Sequence, residues 1–434
     1  MNKKKKKLGF MLILLSLLLL PGLQVLFIIG CNSDYLIKFP FFIGISVLSV
    51  ILLVLLIYGV CIFKKNRGAT KRKLRPWIKV ILSIFMTIYI LGCIAFVVLL
   101  YGPSDKFKNW LITTAMQTMN HQYLCKWFYN DNTINEVLNN NYVIESGEST
   151  DTSLVNKQSK YRKDSYENEY EKAILDVDDD TKYQIIEFEV NGCKAYLGVV
   201  YDPSMVKLAV TKYFRKNGQY VTAMAADHNA LFAINGGGFI DPGHNSTGGI
   251  PNGITISEGK LITNGQYGTN NQGGGIIGFT EDDVLVLLKN TSGEQAINMG
   301  VRDAVSWGPF LIVNGVPSFI KGNGGWGYAA RSAIGQRADG IVLLLVVNSN
   351  SVRTKGADMV DLTEIMQNYG AINAANLDGG TSSVIVMPKD IAKSKYNAPC
   401  NDYFTESYCA INDPIDGALM HRTRPIADAW VVVE

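Results

Sequence analysis

Histidine is scarce in this sequence, and the motifs of several enzyme classes are missing. Its 434 residues include four histidines, none of them in an H-E-x-x-H motif or a ligand pair, which argues against a catalytic metal site built from histidine. The absence of G-x-S-x-G disfavours a serine hydrolase with a nucleophile elbow. The absence of G-x-x-x-x-G-K-[ST] disfavours a P-loop nucleotide site. The sequence requires no cofactor, although a calcium site of Asp, Asn and carbonyl oxygens stays open.

Paired cysteines are also missing. None of the seven cysteines lies in a C-x-x-C pair, which disfavours a zinc ribbon or a thioredoxin-like motif. Cys400 and Cys409 flank a polar loop. A disulfide in an exported domain and two free thiols are both open for this pair.

Acidic residues are nearly absent from the first hundred residues. Residues 1–101 contain 14 Lys or Arg and one acid, Asp34, a balance of about +13. The whole chain carries +3, so residues 102–434 carry about −10. A net-acidic region lacks the basic surface that binds a phosphate backbone, and no nucleic-acid partner is expected.

Three apolar runs, residues 8–29, 39–63 and 78–100, are each long enough to cross a membrane. Basic residues precede the first run, and eight Lys or Arg lie in residues 64–79. The positive-inside rule therefore predicts a multi-pass cell-membrane protein with a cytoplasmic N-terminus and an extracytoplasmic C-terminal region. The segment Ile28-Ile29-Gly30-Cys31 resembles a lipoprotein cleavage box, so a cleaved signal peptide is an alternative for the first run. That alternative also places the C-terminal region outside the cytoplasm.

The amino-acid composition changes twice along the rest of the chain. Apolar residues at helical spacing predict an extracytoplasmic helical stalk over residues 102–143, after the anchor of residues 1–101. Residues 144–182 are polar and charged, which predicts a flexible linker. Residues 183–434 are predicted to form a strand-rich α+β domain with few helices. Its predicted strands are residues 185–190, 194–200, 230–234, 284–288, 310–313, 341–347 and 430–433, and its predicted helices are 221–229 and 358–369.

Three segments of this region carry residues suited to chemistry. Asn235 ends an apolar run and precedes three glycines, where backbone can approach a ligand closely; a tight turn is the structural alternative. Asp378 stands on a Gly-Gly turn before three hydroxyl residues, which makes a fixed carboxylate or an Asx-turn. Arg331 begins a run of small residues and is suited to bind a phosphate; the structural alternative is a solvated charge at the edge of a sheet. Asp241 and Asp303 are the alternative carboxylates.

Six short motifs together resemble the phosphodiester glycosidase family over residues 183–434. They are Asp202-Pro203-Ser204, Ile234-Asn235-Gly236-Gly237-Gly238-Phe239, Gly248-Gly249-Ile250-Pro251-Asn252-Gly253, Arg331-Ser332-Ala333-Ile334-Gly335, Asn376-Leu377-Asp378-Gly379-Gly380 and Arg424-Pro425-Ile426-Ala427. The resemblance implies hydrolysis of a sugar-1-phosphodiester between the anomeric carbon and the phosphate oxygen. The membrane spans are similar to those of bacterial members tied to surface polysaccharides, which implies a phosphate-containing surface glycan as substrate.

The expected catalytic residues are Asp378 as nucleophile or base, Arg331 as phosphate anchor and Asn235 as a positioning amide. The expected substrate-binding residues are Gly236, Gly237, Gly238, Arg302, Asn376, Gly379, Gly380, Thr381, Ser382 and Arg424. The alternatives are a non-catalytic polysaccharide-binding module that assists exopolysaccharide or capsule export, and a phosphodiesterase that cuts the other P–O bond. The oligomeric state and any metal stay undefined.

Overall fold

The structure, a computed structural model, forms two compact units, Met1–Asn140 and Asn141–Glu434. It describes residues 2–37, 40–65, 76–118, 122–147, 149–158, 161, 165–240, 247–265, 274–349, 356–398, 400, 407–414 and 423–434. The α-helices are α1 Asn2–Cys31, α2 Asp34–Ile37, α3 Pro40–Lys65, α4 Pro76–Tyr101, α5 Asp105–Met116, α6 Tyr123–Phe128, α7 Asp131–Asn139, α8 Glu169–Leu175, α9 Val221–Asp227, α10 Gly293–Asn298, α11 Met359–Asn368 and α12 Lys389–Tyr396.

The β-strands all follow the last helix of the first unit. They are β1 Tyr142–Ile144, β2 Tyr183–Val190, β3 Cys193–Val200, β4 Val206–Val210, β5 Phe232–Asn235, β6 Phe239–Ile240, β7 Ile250–Pro251, β8 Ile254–Ser257, β9 Lys260–Asn264, β10 Gly275–Thr280, β11 Leu285–Leu288, β12 Val301–Trp307, β13 Phe310–Val313, β14 Val316–Pro317, β15 Phe319–Lys321, β16 Arg331–Arg337, β17 Val342–Val347, β18 Ala371–Asn376, β19 Ile385–Pro388, β20 Tyr408–Ala410 and β21 Asp428–Val432.

The first unit contains three helices long and apolar enough to cross a membrane, Lys7–Cys31, Ile43–Lys65 and Val80–Tyr101. They lie in α1, α3 and α4, as the apolar runs predict. Gly9 of α1 and Gly59 of α3 let these two helices touch, since a Cβ at Gly9 would lie 2.9 Å from the Gly59 carbonyl oxygen. Such close approach at small residues is typical of helix packing in membranes.

Residues 102–140 form the short helices α5, α6 and α7. Their apolar side chains bury in one cluster that includes Ile112, Cys125, Tyr129 and Ile134. Asn130 caps α7, its side-chain oxygen accepting from the Thr133 N–H at 2.8 Å. The helices predicted for this segment are therefore present, as three pieces that share a core.

The second unit is strand-rich and α+β, as expected. A seven-stranded sheet has the order β14-β13-β18-β16-β17-β3-β2, and two five-stranded sheets have the orders β20-β19-β5-β21-β4 and β11-β10-β12-β8-β9. The main core lies between these sheets, with Phe232, Phe279, Phe310 and Trp430 among its fully buried side chains. The predicted strands and both predicted helices appear, at β2, β3, β5, β11, β13, β17, β21, α9 and α11.

The described part of residues 144–182 departs from the flexible linker that the composition of this segment predicts. The buried Glu145 carboxylate accepts from the Phe310 N–H at 2.6 Å and pairs with Lys289 at 2.6 Å. Ile174 and Leu175 of α8 are fully buried against the seven-stranded sheet. The described residues of the segment thus belong to the second unit, which begins at Asn141 rather than at Tyr183. A few apolar contacts and the partly buried ion pair of Glu145 with Lys289 hold the described part of a segment that is otherwise polar.

Cys400 and Cys409 form a disulfide in the structure. Cys409 lies in β20 and is fully buried. The bridge ties the chain after α12 to the edge of a five-stranded sheet, which resolves the alternatives left by the sequence in favour of the disulfide.

Candidate active site

Two sheets meet at a side-chain hydrogen bond between Ser332 of β16 and Asn235 of β5. The Ser332 hydroxyl donates to the Asn235 side-chain oxygen at 2.6 Å, and both residues are fully buried. In the seven-stranded sheet β16 pairs with β18, so Ala333 lies opposite Asn376. In the other sheet β5 pairs with β21, so Asn235 lies opposite Ala429. The ends of four strands therefore come together at this junction.

The loop that carries Asp378 leaves β18 at the junction and is fixed along its main chain. The Asp378 N–H donates to the Gly236 carbonyl at 3.3 Å, and its carbonyl accepts from the Asn235 side-chain amide at 2.8 Å. The Gly380 N–H donates to the Ala330 carbonyl at 2.7 Å. Gly380 has φ +63°, a conformation that favours glycine. The turn predicted by the sequence is present, and both sheets hold it.

The Asp378 carboxyl group is half-buried at the centre of the site. Burial raises its pKa above the ordinary value, because the charged form loses hydration. A hydrogen bond from Ser382, the charge of Arg424, the Gly379 N–H and the charge of Arg331 oppose the effect of burial. The Gly379 N–H lies 3.0 Å from Asp378 Oδ1. These groups stabilise a carboxylate that can still take up a proton.

Arg331 is 5% exposed, and its charge acts on this carboxyl group. Its Nη2 donates to the carbonyls of Trp326 and Gly327, the latter at 2.8 Å, and its Nε donates to the Ala357 carbonyl at 3.3 Å. None of the described residues accepts a hydrogen bond from Nη1. Burial lowers the pKa of Arg331 to about 10, so the group is still cationic at neutral pH. The cation is thus held by neutral carbonyls and keeps one donor for an anion.

Arg424 supplies a second cation. Its Nη1 donates to the Thr381 hydroxyl at 2.8 Å, and its guanidinium lies 4.8 Å from the centre of the Phe239 ring. Its buried Nε has no hydrogen-bond partner among the described residues. The charges of Arg331 and Arg424 both act on Asp378. Two guanidinium groups with donors to spare around one carboxyl group can bind an anionic substrate.

The glycines after Asn235 allow close packing, and the N–H groups of the first two are occupied. The Gly236 N–H donates to the Asp428 carbonyl at 3.1 Å, and the Gly237 N–H donates to Asp428 Oδ1 at 2.7 Å. A Cβ at Gly238 would lie 1.8 Å from the Trp307 ring. The structure therefore departs from the expectation that Gly236 and Gly237 present amides to substrate, because Asp428 already binds both.

The two asparagines of the predicted site are also internal. Asn235 is fully buried and uses both ends of its side chain to join Ser332, Val384 and the Asp378 carbonyl. Asn376 is fully buried and donates to the Gly308 carbonyl at 2.7 Å. Both side chains position the loops around Asp378, and Asn235 does not reach a substrate as its predicted role requires.

Arg302 is not part of this site. Its guanidinium pairs with Asp283 at 3.1 Å and with Asp303, and its Nη2 donates to the Val206 carbonyl at 2.9 Å. Asp303 also accepts from the Glu258 N–H at 3.0 Å, so this alternative carboxylate is committed to the same cluster. The other alternative, Asp241, lies outside the described residues. Arg302 fails as a binding residue because neighbouring carboxylates already neutralise it.

Asp428 is the residue that sequence reasoning missed. It opens β21, is 1% exposed and binds the glycines of the junction. Its signal in the sequence is one acid directly after the Arg-Pro-Ile-Ala motif and before an apolar strand. Among the described residues, no group of three or more His, Cys, Asp or Glu comes together that could hold a metal ion.

Part of the second unit is similar to a known protein family. A family model described as phosphodiester glycosidase matches residues 228–433. An SPbeta prophage-derived protein of Bacillus subtilis, itself uncharacterised, is 27% identical over 173 residues, which is 38% of this chain and 26% of the relative. The chain thus spans about a quarter of that relative's length.

Two solved structures are also similar. The zebrafish N-acetylglucosamine-1-phosphodiester alpha-N-acetylglucosaminidase catalytic domain, auto-inhibited by its pro-peptide, has a TM-score of 0.41 at 19% identity, over 58% of this chain and 82% of that one. A putative exported protein of Burkholderia pseudomallei has a TM-score of 0.39 at 15% identity, over 56% of this chain and 74% of that one.

Proposed function

Because its residues 228–433 belong to the phosphodiester glycosidase family, we propose that this protein hydrolyses the glycosidic bond of a sugar-1-phosphodiester. The observation that carries the proposal is that the charges of Arg331 and Arg424 both act on the Asp378 carboxyl group, and that the Arg424 Nε has no partner among the described residues. A phosphodiester is an anion, and a carboxylate alone would repel it. The two guanidinium groups offset that repulsion and orient the phosphate.

The chemistry requires little beyond these groups. The bond between the anomeric carbon and oxygen breaks, and its electron pair leaves with the phosphate oxygen. Water supplies the new hydroxyl group on the anomeric carbon, and Asp378 accepts the proton that the water loses. A phosphate monoester is a good leaving group when cations stabilise its charge, so a strong general acid matters less than in other glycosidases. In its ionised form Asp378 also stabilises positive charge that develops on the sugar ring.

Aromatic rings give the sugar its binding surface. Trp307 and Trp326 pack edge to face with centroids 6.2 Å apart, and Arg331 lies 6.0 Å from the centre of the Trp326 ring. Trp307 is only partly buried and covers Gly238. We assign its exposed face to stacking on the sugar, next to the phosphate site.

The proposed substrate is a glycosyl-phosphate unit of a cell-surface glycan. The three apolar helices of the first unit support attachment to a membrane. The basic residues 64–79 support a cytoplasmic position for the loop between the second and third helices. The second unit would then lie outside the cell, where such glycans occur.

The test is an assay of the full chain in detergent on N-acetylglucosamine-1-phosphodiester and hexose-1-phosphodiester substrates in ¹⁸O-labelled water. We expect free sugar that carries the label on its anomeric hydroxyl group, and unlabelled phosphate monoester. Label in the phosphate together with release of a sugar phosphate would instead show a phosphodiesterase. Binding of these substrates without any product, in a folded wild-type protein, would show a non-catalytic polysaccharide-binding module.

A further inference from the structure

Asp428 is a buried acid with one oxygen that the fold leaves unpaired. Its Oδ1 accepts from the Gly237 N–H at 2.7 Å, while its Oδ2 is buried without a hydrogen-bond partner among the described residues. The fit around it is close, because a Cβ at Gly236 would lie 2.2 Å from Oδ1. An ionised carboxylate with an unpaired buried oxygen costs more than the neutral acid, whose O–H still needs an acceptor.

The same residue is linked to Asp378 through one turn of backbone. Asp428 binds the N–H groups of Gly236 and Gly237, and the Gly236 carbonyl accepts the Asp378 N–H at 3.3 Å. The strands β4 and β5 flank β21 and place Val210 and Asn235, both uncharged, beside its first residues. Asp378 is the charged group whose field acts on Asp428.

We propose that Asp428 is a positioning residue of the active site, a neutral carboxylic acid that fixes the glycine turn under Asp378 and shares its proton with the Asp378 carboxylate. Only the expected effect on kcat rests on the proposed function; the protonation of Asp428 does not. The O–H of neutral Asp428 requires an acceptor, which we assign to Asp378, directly or through one water. In the active form Asp378 is ionised and Asp428 is protonated, as in other pairs of acids whose surroundings separate their titrations.

The direction of the titration agrees with this geometry. Burial raises the pKa of Asp428 to about 7, and the nearby Asp378 raises it as well, while the Gly237 N–H lowers it. Above that pH a second negative charge appears beside Asp378. It repels the phosphodiester and removes the proton that the pair shares.

The kinetic test compares the full chain with Asp428→Asn, which keeps an oxygen for the Gly237 N–H but cannot ionise. Wild type is expected to lose kcat on both sides of an optimum, with a decrease on the order of a hundredfold two pH units above the Asp428 titration. Asp428→Asn should keep the acidic limb and lose the alkaline one, so that kcat stays level there. An unchanged alkaline limb in folded Asp428→Asn would overturn the proposal.

A second test needs no substrate, so it separates this proposal from the proposed activity. Infrared difference spectra should show a carboxylic-acid C=O band that disappears as the pH rises through about 7, the pKa to which Asp428 is raised. The band should be absent in Asp428→Asn and present in Asp227→Asn, the matched control. Should Asp428→Asn fail to fold, Asp378→Asn provides the measurement, because losing the neighbouring charge should move the band's titration to lower pH. If the pH at which the band titrates were the same in Asp378→Asn and in wild type, the coupling between the two acids would be contradicted.

Discussion

Two largely buried arginines of the second unit, Arg302 and Arg331, have surroundings that differ in kind. Arg302 is 12% exposed and binds two carboxylates, Asp283 and Asp303. Arg331 is 5% exposed and binds three backbone carbonyls. Both cations are held firmly, but Arg302 is paired directly with carboxylates, whereas Arg331 donates its hydrogen bonds to carbonyls and feels the Asp358 and Asp378 charges without a direct ion pair among the described residues. A buried arginine indicates an anion site only when its protein partners are neutral.

The largest effect that this comparison predicts is on stability. In Arg302→Met, Asp283 and Asp303 lose their cation inside the fold, which should cost about 3 kcal/mol in the free energy of unfolding. Urea unfolding followed by the fluorescence of buried tryptophans measures it. The turnover of the folded variant should stay within about threefold of wild type; a large loss of turnover without loss of stability would return Arg302 to the active site.

The next effect is on turnover. Asp378→Asn keeps the shape of the side chain and removes its charge, so kcat on a sugar-1-phosphodiester should decrease roughly a hundredfold or more, with little change in unfolding. Asp303→Asn is the matched control, because it removes a carboxylate of the Arg302 cluster. It should reduce stability and leave kcat near wild type. Near-full activity in folded Asp378→Asn would refute the assignment of this carboxylate.

A smaller effect is expected at Arg331 itself. Arg331→Lys keeps a cation but cannot donate to the carbonyls and to a phosphate with one planar group, so kcat/KM should decrease roughly tenfold. The measurement is steady-state kinetics at neutral pH, where Arg331 is charged because its pKa, though lowered by burial, is about 10. Arg302→Lys should not change kcat/KM. Equal losses in the two lysine variants would contradict the distinction between the arginines.

The smallest effect concerns Lys157, which contacts the Arg302 cluster from the segment predicted as a linker. Its Nζ lies 2.8 Å from Asp283, and its side chain is 43% exposed. Solvent screens such a pair, so Lys157→Met should change the free energy of unfolding by about 0.5 kcal/mol. The mid-point of urea unfolding measures this change. A loss above 2 kcal/mol would mean that the segment contributes more to the cluster than this one exposed pair.

The strands and helices that the sequence predicted are present because such elements are local patterns, although most of the described strands were not among them. Runs such as residues 194–200 and 341–347 are apolar apart from Lys194, and they form the neighbouring strands β3 and β17. The order of residues 144–182 was not predictable in the same way. It depends on Glu145 reaching Phe310 and on Ile174 and Leu175 reaching the sheet, contacts between residues far apart in a polar segment.

The candidate site likewise contains features that the sequence could predict and features that depend on distant contacts. The sequence indicates three charged residues set among glycines and small residues, namely Asp378, Arg331 and Arg424. The structure brings them together. Whether an amide faces a ligand or the protein is not local information. Asn235 and Gly237 are occupied by Ser332 and Asp428, residues about a hundred and two hundred positions away, respectively. For Arg302 the sequence does indicate an internal partner, since Asp303 follows it directly.

The position of β21 has a consequence for how this unit is made. The strand is the last of the chain, yet it lies between β5 and β4 inside its sheet. Until residues 428–432 have been synthesised, β4 and β5 have no common neighbour, and Gly236 and Gly237 have no acceptor for their N–H groups. Contacts this distant in sequence form late in folding. A polypeptide that stops a few residues early would therefore lack an internal strand of a sheet, rather than a dispensable tail.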